Sequence, residues 1–202
     1  MFALVEDGKI TQMPKGTKGI TIGDNQYPAS IFTSSYSEAE RNAVGIYTVE
    51  INETNKKDEA WYINTDITYT FGSGKVTGTY GTATAKSISD TDAVDDDGNK
   101  LKDENGNQII IEGLKTIKKR DIDNQCKDIL APSDWMATKA FEEGGDVESG
   151  WKTWRASVRT KCNSMQTQID NAANVDALAA LFTYTTTDGV TSRPLGEFPV
   201  KE

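Results

Sequence analysis

The strongest constraint on the fold is an apolar pattern near the C-terminal end of the chain. Apolar residues recur there at steps of three and four, in the series Trp151, Trp154, Val158, Cys162, Met165, Ile169 and Ala172. Seven consecutive matches to the helical period predict one amphipathic helix, which we expect to begin at Asp146 and to extend to residue 173. A helix with one apolar face must bury that face against another element.

A second apolar stripe precedes this helix and is its expected partner. Ile122, Cys126, Ile129 and Leu130 recur at helical spacing, and the pattern stops before Pro132. Ser133 is of the residue type that caps helices, and Gly144-Gly145 predicts the bend between the two stripes. These features predict an antiparallel helical hairpin.

The C-terminal end is divided further by its capping and turn residues. We assign the helical hairpin module to residues 113–184, including a short last helix that Asn174 caps. Residues 185–202 contain several glycines and prolines and are predicted to form an irregular, mobile tail.

The N-terminal half has short strand patterns instead. Asp7-Gly8 predicts a hairpin turn, and Ser37 predicts the cap of a short helix within a small β/α region, residues 1–58. Residues 59–112 form a β-rich insertion with Asp/Gly turns, among them Asp97-Gly98. The predicted class is α+β, with small antiparallel β regions followed by the helical hairpin.

Charge and residue content exclude several classes of function. The 202 residues include 22 Lys and Arg, 31 Asp and Glu and no His, so the formal charge is −9. This balance argues against binding to nucleic acid or to an anionic membrane surface. The absence of histidine removes His-based catalysis and His-ligated zinc. We therefore expect no enzyme activity and no cofactor.

Sequence patterns also give expectations for compartment and redox state. The first residues lack a signal peptide's basic and apolar regions, and no apolar stretch approaches the length of a transmembrane helix. We expect a protein made in a cytoplasm. Cys126 and Cys162 lie in helical patterns and are interpreted as apolar core residues, not as a disulfide or metal pair.

Two binding modes remain open for the β-rich part. The Asp-rich stretch around Asp95 and Gly98 resembles a calcium loop, but Ala93 stands where the first carboxylate ligand is required. A solvated turn is the favoured interpretation. Five aromatic residues on the strands are expected to form a sheet core, although outward-facing ones would suit a glycan or protein: Trp61, Tyr62, Tyr69, Phe71 and Tyr80.

The long helix has its own two interpretations. Trp151 and Trp154 share the apolar stripe and are expected in the core, with Arg155 and Arg159 as a polar ridge beside it. The alternative is an aromatic and basic ligand platform. Glu142, Glu143 and Asp134 could form carboxylate pairs, yet no nucleophile or phosphate-loop motif accompanies them.

Two stretches carry a family resemblance. The first ten residues, Tyr27-Pro28 and the segment 44–49 resemble the N-terminus of tail-associated proteins of tailed bacteriophages. The second stretch is similar to the helical module of phage tail fibre assembly proteins and comprises Arg120, Ile129-Leu130, Ser133-Asp134-Trp135 and residues 151–159.

The resemblance implies a non-catalytic virion tail component, or a tail-fibre-associated protein, that acts through protein contacts. A tail or tail fibre protein would be the partner, and the virion tail the location. A transient fibre-assembly chaperone, and a module binding host glycan or calcium, are the alternatives. The expected partner-binding residues are Trp135, Trp151, Trp154, Arg155 and Arg159.

Overall fold

A computed structural model describes residues 1–201, which divide into two compact units. The first unit is Met1–Thr84 and the second begins at Ala85. The boundary falls inside the segment 59–112, so this segment belongs to both units. The chain is α+β, as the sequence predicts.

The first unit is mainly β-structure. Its elements are β1 (Phe2–Glu6), β2 (Lys9–Gln12), β3 (Ile20–Ile22), β4 (Asn25–Tyr27), α1 (Glu38–Ala43), β5 (Ile46–Asn52), β6 (Tyr62–Ile63), β7 (Ile67–Gly72), β8 (Lys75–Tyr80) and, at its end, β9 (Thr84–Ala85). Five strands form one sheet in the order β2-β1-β5-β8-β7, and its two edge strands approach each other, so the sheet is nearly closed. Strands β5 and β8 pair in parallel, which the prediction of antiparallel sheets does not include.

Local sequence signals explain the start of this unit. Asp7 and Gly8 both have positive φ, the backbone that a two-residue hairpin turn requires, and they join β1 to β2. Ser37 caps α1 in a reciprocal pair of hydrogen bonds with Glu40, as predicted. Gly45 then turns the chain into β5, where a Cβ would lie 2.6 Å from the carbonyl oxygen of Val5.

Two small cores lie in this unit, and strand β1 contributes to both. Leu4 packs with Ile31 and Ile46, whereas Ala3 and Val5, on the other face of the strand, pack with a separate cluster. Apolar residues at successive positions bury both faces of β1 and place it in the middle of the unit.

The second unit begins with a short β region and continues as helices. Its elements are β10 (Thr91–Asp92), β11 (Ile110–Ile111), α2 (Leu114–Leu130), α3 (Asp134–Glu142), α4 (Ser149–Asn171), α5 (Val175–Phe182), β12 (Thr185–Thr187) and β13 (Val190–Ser192). Helix α4 begins at Ser149 and not at Asp146, because residues 143–148 form the loop after α3.

Helices α2 and α4 form the predicted antiparallel hairpin. Lys115 at the start of α2 bonds to Asp170 at the end of α4, and Leu130 at the end of α2 bonds to Arg155 near the start of α4. The seam between the helices is made of buried side chains from both: Ile122, Cys126 and Leu130 from α2, and Val158, Cys162, Met165 and Ile169 from α4. Asn174 caps α5, as predicted.

The first part of the C-terminal segment has regular structure, so the prediction of an irregular tail from residue 185 is wrong there. Strands β12 and β13 form a hairpin, and Asp188-Gly189 supplies its turn with positive φ at both positions. The remaining tail packs on the helices: Leu195 is fully buried, and its backbone N–H donates to the carbonyl of Leu181 at 3.1 Å.

Residues 93–109 form two turns with the same hydrogen-bond pattern, an eight-residue repeat that the sequence analysis did not identify. The backbone N–H groups of Ala93, Leu101 and Ile109 donate to the carbonyls of Ile109, Ala93 and Leu101, at 2.8, 2.8 and 2.9 Å. These three positions close a small ring, from which the turns 93–100 and 101–108 project.

Candidate protein-binding groove

An open groove lies between helices α3 and α4, beside the loop that joins them. It has a volume of about 290 Å³, and its apolar lining includes Trp135 and Met136 from α3, Val147 from the loop and Trp151 from α4. Two of the predicted partner-binding residues, Trp135 and Trp151, are therefore brought to one site. We call this site the α3–α4 groove.

The side of the groove that α3 forms is exposed to solvent. Helix α3 has nine residues and buries none of them. Trp135 is 57% exposed and Phe141, near the end of the helix, is 88% exposed. An exposed tryptophan that lines an open groove, as Trp135 does, is typical of a surface that contacts another protein, whereas Phe141 lies outside the groove.

Arg155 holds the first turn of α3 in place and does not lie on the polar ridge that the sequence predicts; its role as a partner contact stays a prediction. The side chain is buried, and its guanidinium donates to the carbonyl of Leu130 at 3.0 Å, to Oγ of Ser133 and to Oδ1 of Asp134 at 2.6 Å. Ser133 does not cap α3 with its side chain; its hydroxyl accepts from Arg155 and donates to Leu130. Arg155 thereby joins the end of α2 to α3, one residue before Trp135.

Trp154 is half-buried and fixes the C-terminal tail instead of lying fully in the core. Its Nε1–H donates to the carbonyl of Pro199 at 3.0 Å, and its ring packs edge-on against Trp151 with centroids 5.5 Å apart. Trp151 is also half-buried, so the core of the hairpin begins at Val158. Lys161 adds a second bond to the tail, from Nζ to the carbonyl of Leu195 at 2.8 Å.

Arg159, the last predicted site residue, is exposed on α4 and outside the α3–α4 groove. It lines a second pocket of about 190 Å³, together with Lys152, Arg155 and Asp146. Asp146 and Val147 line both cavities, so the loop residues separate the α3–α4 groove from this second pocket.

Carboxylates surround the α3–α4 groove more densely than cations do. Glu143, Asp146 and Glu148 line it, against the single ammonium group of Lys139. Lys139 lies 3.9 Å from a Glu143 oxygen, a long and exposed ion pair that contributes little to stability. Glu143 directly follows α3 and Glu148 directly precedes α4, so both carboxylates lie beside the loop that joins the two helices.

The Asp-rich turns use their carboxylates internally. Oδ1 of Asp95 accepts from the backbone N–H groups of Asp97 and Asn99, and Asp103 makes the equivalent bonds to Asn105 and Asn107. Hydrogen bonds to the charged form, chiefly from the Asn at i+4, lower the pKa of both aspartates. Over residues 1–201, no group of three or more Cys, Asp or Glu side chains is placed to hold a metal ion.

The two cysteines lie in the seam between α2 and α4, and both are buried as free thiols. Burial and the neighbouring Cys126 thiol raise the pKa of Cys162 to about 11. A thiol with so high a pKa is a weak nucleophile at neutral pH. The interpretation of Cys126 and Cys162 as core residues is confirmed.

The five aromatic residues of the β-rich segment differ in what they pack against. Trp61, Tyr62, Tyr69, Phe71 and Tyr80 are all half-buried. Tyr69 and Phe71 pack against the Val49–Val76 cluster, and Lys57 Nζ lies over the Tyr62 ring at 4.2 Å. Tyr69 and Phe71 therefore lie in the expected sheet core, whereas the same expectation for Trp61, Tyr62 and Tyr80 stays a prediction.

Comparison with known proteins adds no assignment: the chain matches no family model, no curated protein and no solved structure. Within residues 1–201, no helix is both long enough and apolar enough to cross a membrane.

Proposed function

We propose that this chain is a non-catalytic, protein-binding component of a bacteriophage tail, and that it binds a tail or tail fibre protein through the α3–α4 groove. The observation that supports the contact is the pair Trp135 and Trp151, which line one open groove. The phage assignment rests on the sequence resemblance in residues 1–49 and 120–159.

The groove suits a protein partner for a physical reason. Binding energy at protein interfaces is concentrated in a few aromatic and arginine side chains that a partner can desolvate. Trp135 is exposed yet stands on a helix whose first turn is fixed by a buried arginine. A partner would therefore meet a preorganised aromatic surface, and ordering it on binding would cost little entropy.

Quantitative mass spectrometry of purified virions of the phage that encodes this chain tests the location. A fixed ratio to the fibre protein is expected of a tail component. Presence in infected cells but absence from virions would favour the fibre-assembly chaperone, which would use the same groove transiently.

Binding to the fibre protein expressed with it tests the contact. Trp135→Ala is expected to weaken binding by at least about tenfold, since interface tryptophans are often worth 2 kcal/mol or more. Phe141→Ala is the matched control, because Phe141 is an exposed aromatic residue of α3 that does not line the groove. Equal binding by Trp135→Ala and the unmodified chain would exclude the α3–α4 groove as the contact.

A further inference from the structure

The two cavities beside the α3–α4 loop have opposite charge. The α3–α4 groove has three carboxylates against one ammonium group, whereas the second pocket has the cations Lys152, Arg155 and Arg159 against Asp146 alone. Because Asp146 and Val147 line both, the two cavities meet at this loop, and a bound segment that crosses the loop would reach from one cavity to the other.

We infer that the partner is a protein segment that places an apolar side chain and a Lys or Arg in the α3–α4 groove and an Asp or Glu against Arg159. The inference rests on the proposed function, because it names the chemistry of the partner at the same site. Charge complementarity of this kind fixes the register and direction of a bound segment and suppresses wrong partners.

The negative end of this surface has carboxylates available for a cation. Glu148 precedes α4 without capping it through its side chain, and Glu143 has only the 3.9 Å contact with Lys139. Trp151 already has a cation against it, since Lys201 Nζ lies 5.4 Å from the ring centroid. A tryptophan face beside carboxylates is a favourable place for an ammonium or guanidinium group.

The positive end depends mainly on Arg159. Lys152 pairs with Asp146 at 3.3 Å, and Arg155 is occupied by Asp134, Ser133 and the carbonyl of Leu130. Arg159 is exposed, so its guanidinium can form a bidentate pair with an incoming carboxylate. Phosphate groups are disfavoured at this surface, because the carboxylates of the adjacent groove repel them.

A displayed library of random 12-residue peptides, selected on the full-length chain, is a direct probe. We expect enriched peptides to combine Lys or Arg, an aromatic or aliphatic residue, and Asp or Glu in a constant order. Their binding should weaken as ionic strength rises, and it should be lost in Trp135→Ala.

Charge reversal assigns the two ends. Glu143→Lys and Arg159→Glu are each expected to weaken the selected peptides by about tenfold, because like charges then face each other. Glu104→Lys and Lys102→Glu are matched controls that make the same charge changes at exposed residues lining neither cavity, and they should bind normally. Selection on Glu143→Lys should in turn enrich acidic residues at the position of the former Lys or Arg.

The outcomes separate this inference from the proposed function. One outcome is that the selected peptides need Trp135 but show no charge preference and bind Glu143→Lys and Arg159→Glu normally. This outcome would overturn the charge assignment and leave the α3–α4 groove as a contact. Peptides that bind elsewhere, or none enriched above background, would overturn both.

Discussion

The two halves of helix α4 show how differently one apolar stripe can be used. From Val158 to Ile169 the stripe is buried, and helix α2 packs along it. From Trp151 to Trp154 it is only half-covered, by the C-terminal tail and the edge of α3. Periodicity shows which face of a helix is apolar, but the length of the neighbouring helix decides how much of that face is buried. Arg155 marks the change, because it bonds to Leu130, the last residue of α2.

The largest effect is expected in the covered half. Met165 is fully buried, so Met165→Ala leaves a cavity and should lower the free energy of unfolding by about 2–5 kcal/mol. Chemical denaturation measures this, with the exposed neighbour Ser164→Ala as the control. A loss below that of Ser164→Ala would mean that α2 and α4 do not form a close-packed seam.

The junction between the halves should have the next largest effect. Arg155→Met removes the donors to Leu130, Ser133 and Asp134 and should cost about 2–4 kcal/mol. Hydrogen exchange should show that residues 134–142 lose protection before the seam does. Arg155→Lys, which keeps the charge but not the planar fork, should recover only part of the loss. Unchanged protection of α3 would show that the arginine does not hold it.

A change at the half-covered end of α4 should loosen the C-terminal tail. Trp154→Phe keeps most of the ring but removes the Nε1–H that donates to Pro199, and it should cost about 1 kcal/mol. Residues after 193 should then be cut faster by protease. Trp135→Phe provides the comparison, since no tail residue is bonded to Trp135 among the described contacts. Equal cleavage of the two variants would contradict the tail-fixing role of Trp154.

The open groove should contribute almost nothing to stability. Trp135 is 57% exposed, so Trp135→Ala is expected to change the free energy of unfolding by less than about 0.5 kcal/mol, although we expect it to weaken partner binding. Thermal denaturation of the free protein measures the first effect. A loss comparable to that of Met165→Ala would place Trp135 in the core and remove the contrast between the two halves.

Carboxylates also differ in whether the chain supplies their hydrogen-bond donors. The pH dependence of the turns that contain Asp95 and Asp103 tests this difference. Hydrogen bonds lower the pKa of Asp95 and Asp103 in the folded chain, so their stabilising effect is present above the unfolded pKa of about 4 and is lost as pH falls through the lower folded value. The side-chain carboxyl NMR signals of Asp95 and Asp103 should therefore titrate below the pKa of about 3.9 that is usual for an unfolded Asp. Asp95→Asn with Asp103→Asn should weaken the turns already at neutral pH. Turns that persist in this double variant would show that the backbone alone holds them.

Local patterns predicted a large part of the fold. Three local signals appear in the structure: the helical period of α4, the Asp7-Gly8 turn and the cap by Ser37. Each depends on residues that lie close to one another in the sequence. The Asp188-Gly189 hairpin had an equally clear dipeptide signal, which the sequence analysis missed. The repeat in residues 93–109 was also visible, as the pattern Asp-x-x-Gly-Asn recurring after eight residues.

Non-local features could not be predicted in this way. Arg155 has the spacing of a surface residue, and only the acceptors contributed by residues 130–134, more than 20 positions away, account for its burial. The parallel pairing of β5 with β8 likewise depends on chain segments that share no local pattern. The sequence therefore placed Trp135 and Trp151 as candidates, but their position in one groove depends on how the chain places α3 beside α4.

The ring formed by Ala93, Leu101 and Ile109 has a consequence for how this chain can vary. Each projecting turn brings the backbone back to a position where the next one can begin, eight residues later. Removing residues 101–108 would leave the Ala93–Ile109 bond in place and keep Thr91 opposite Ile111. Insertions and deletions in multiples of eight residues should thus be tolerated between β10 and β11, whereas other lengths would shift the register and disrupt the start of α2.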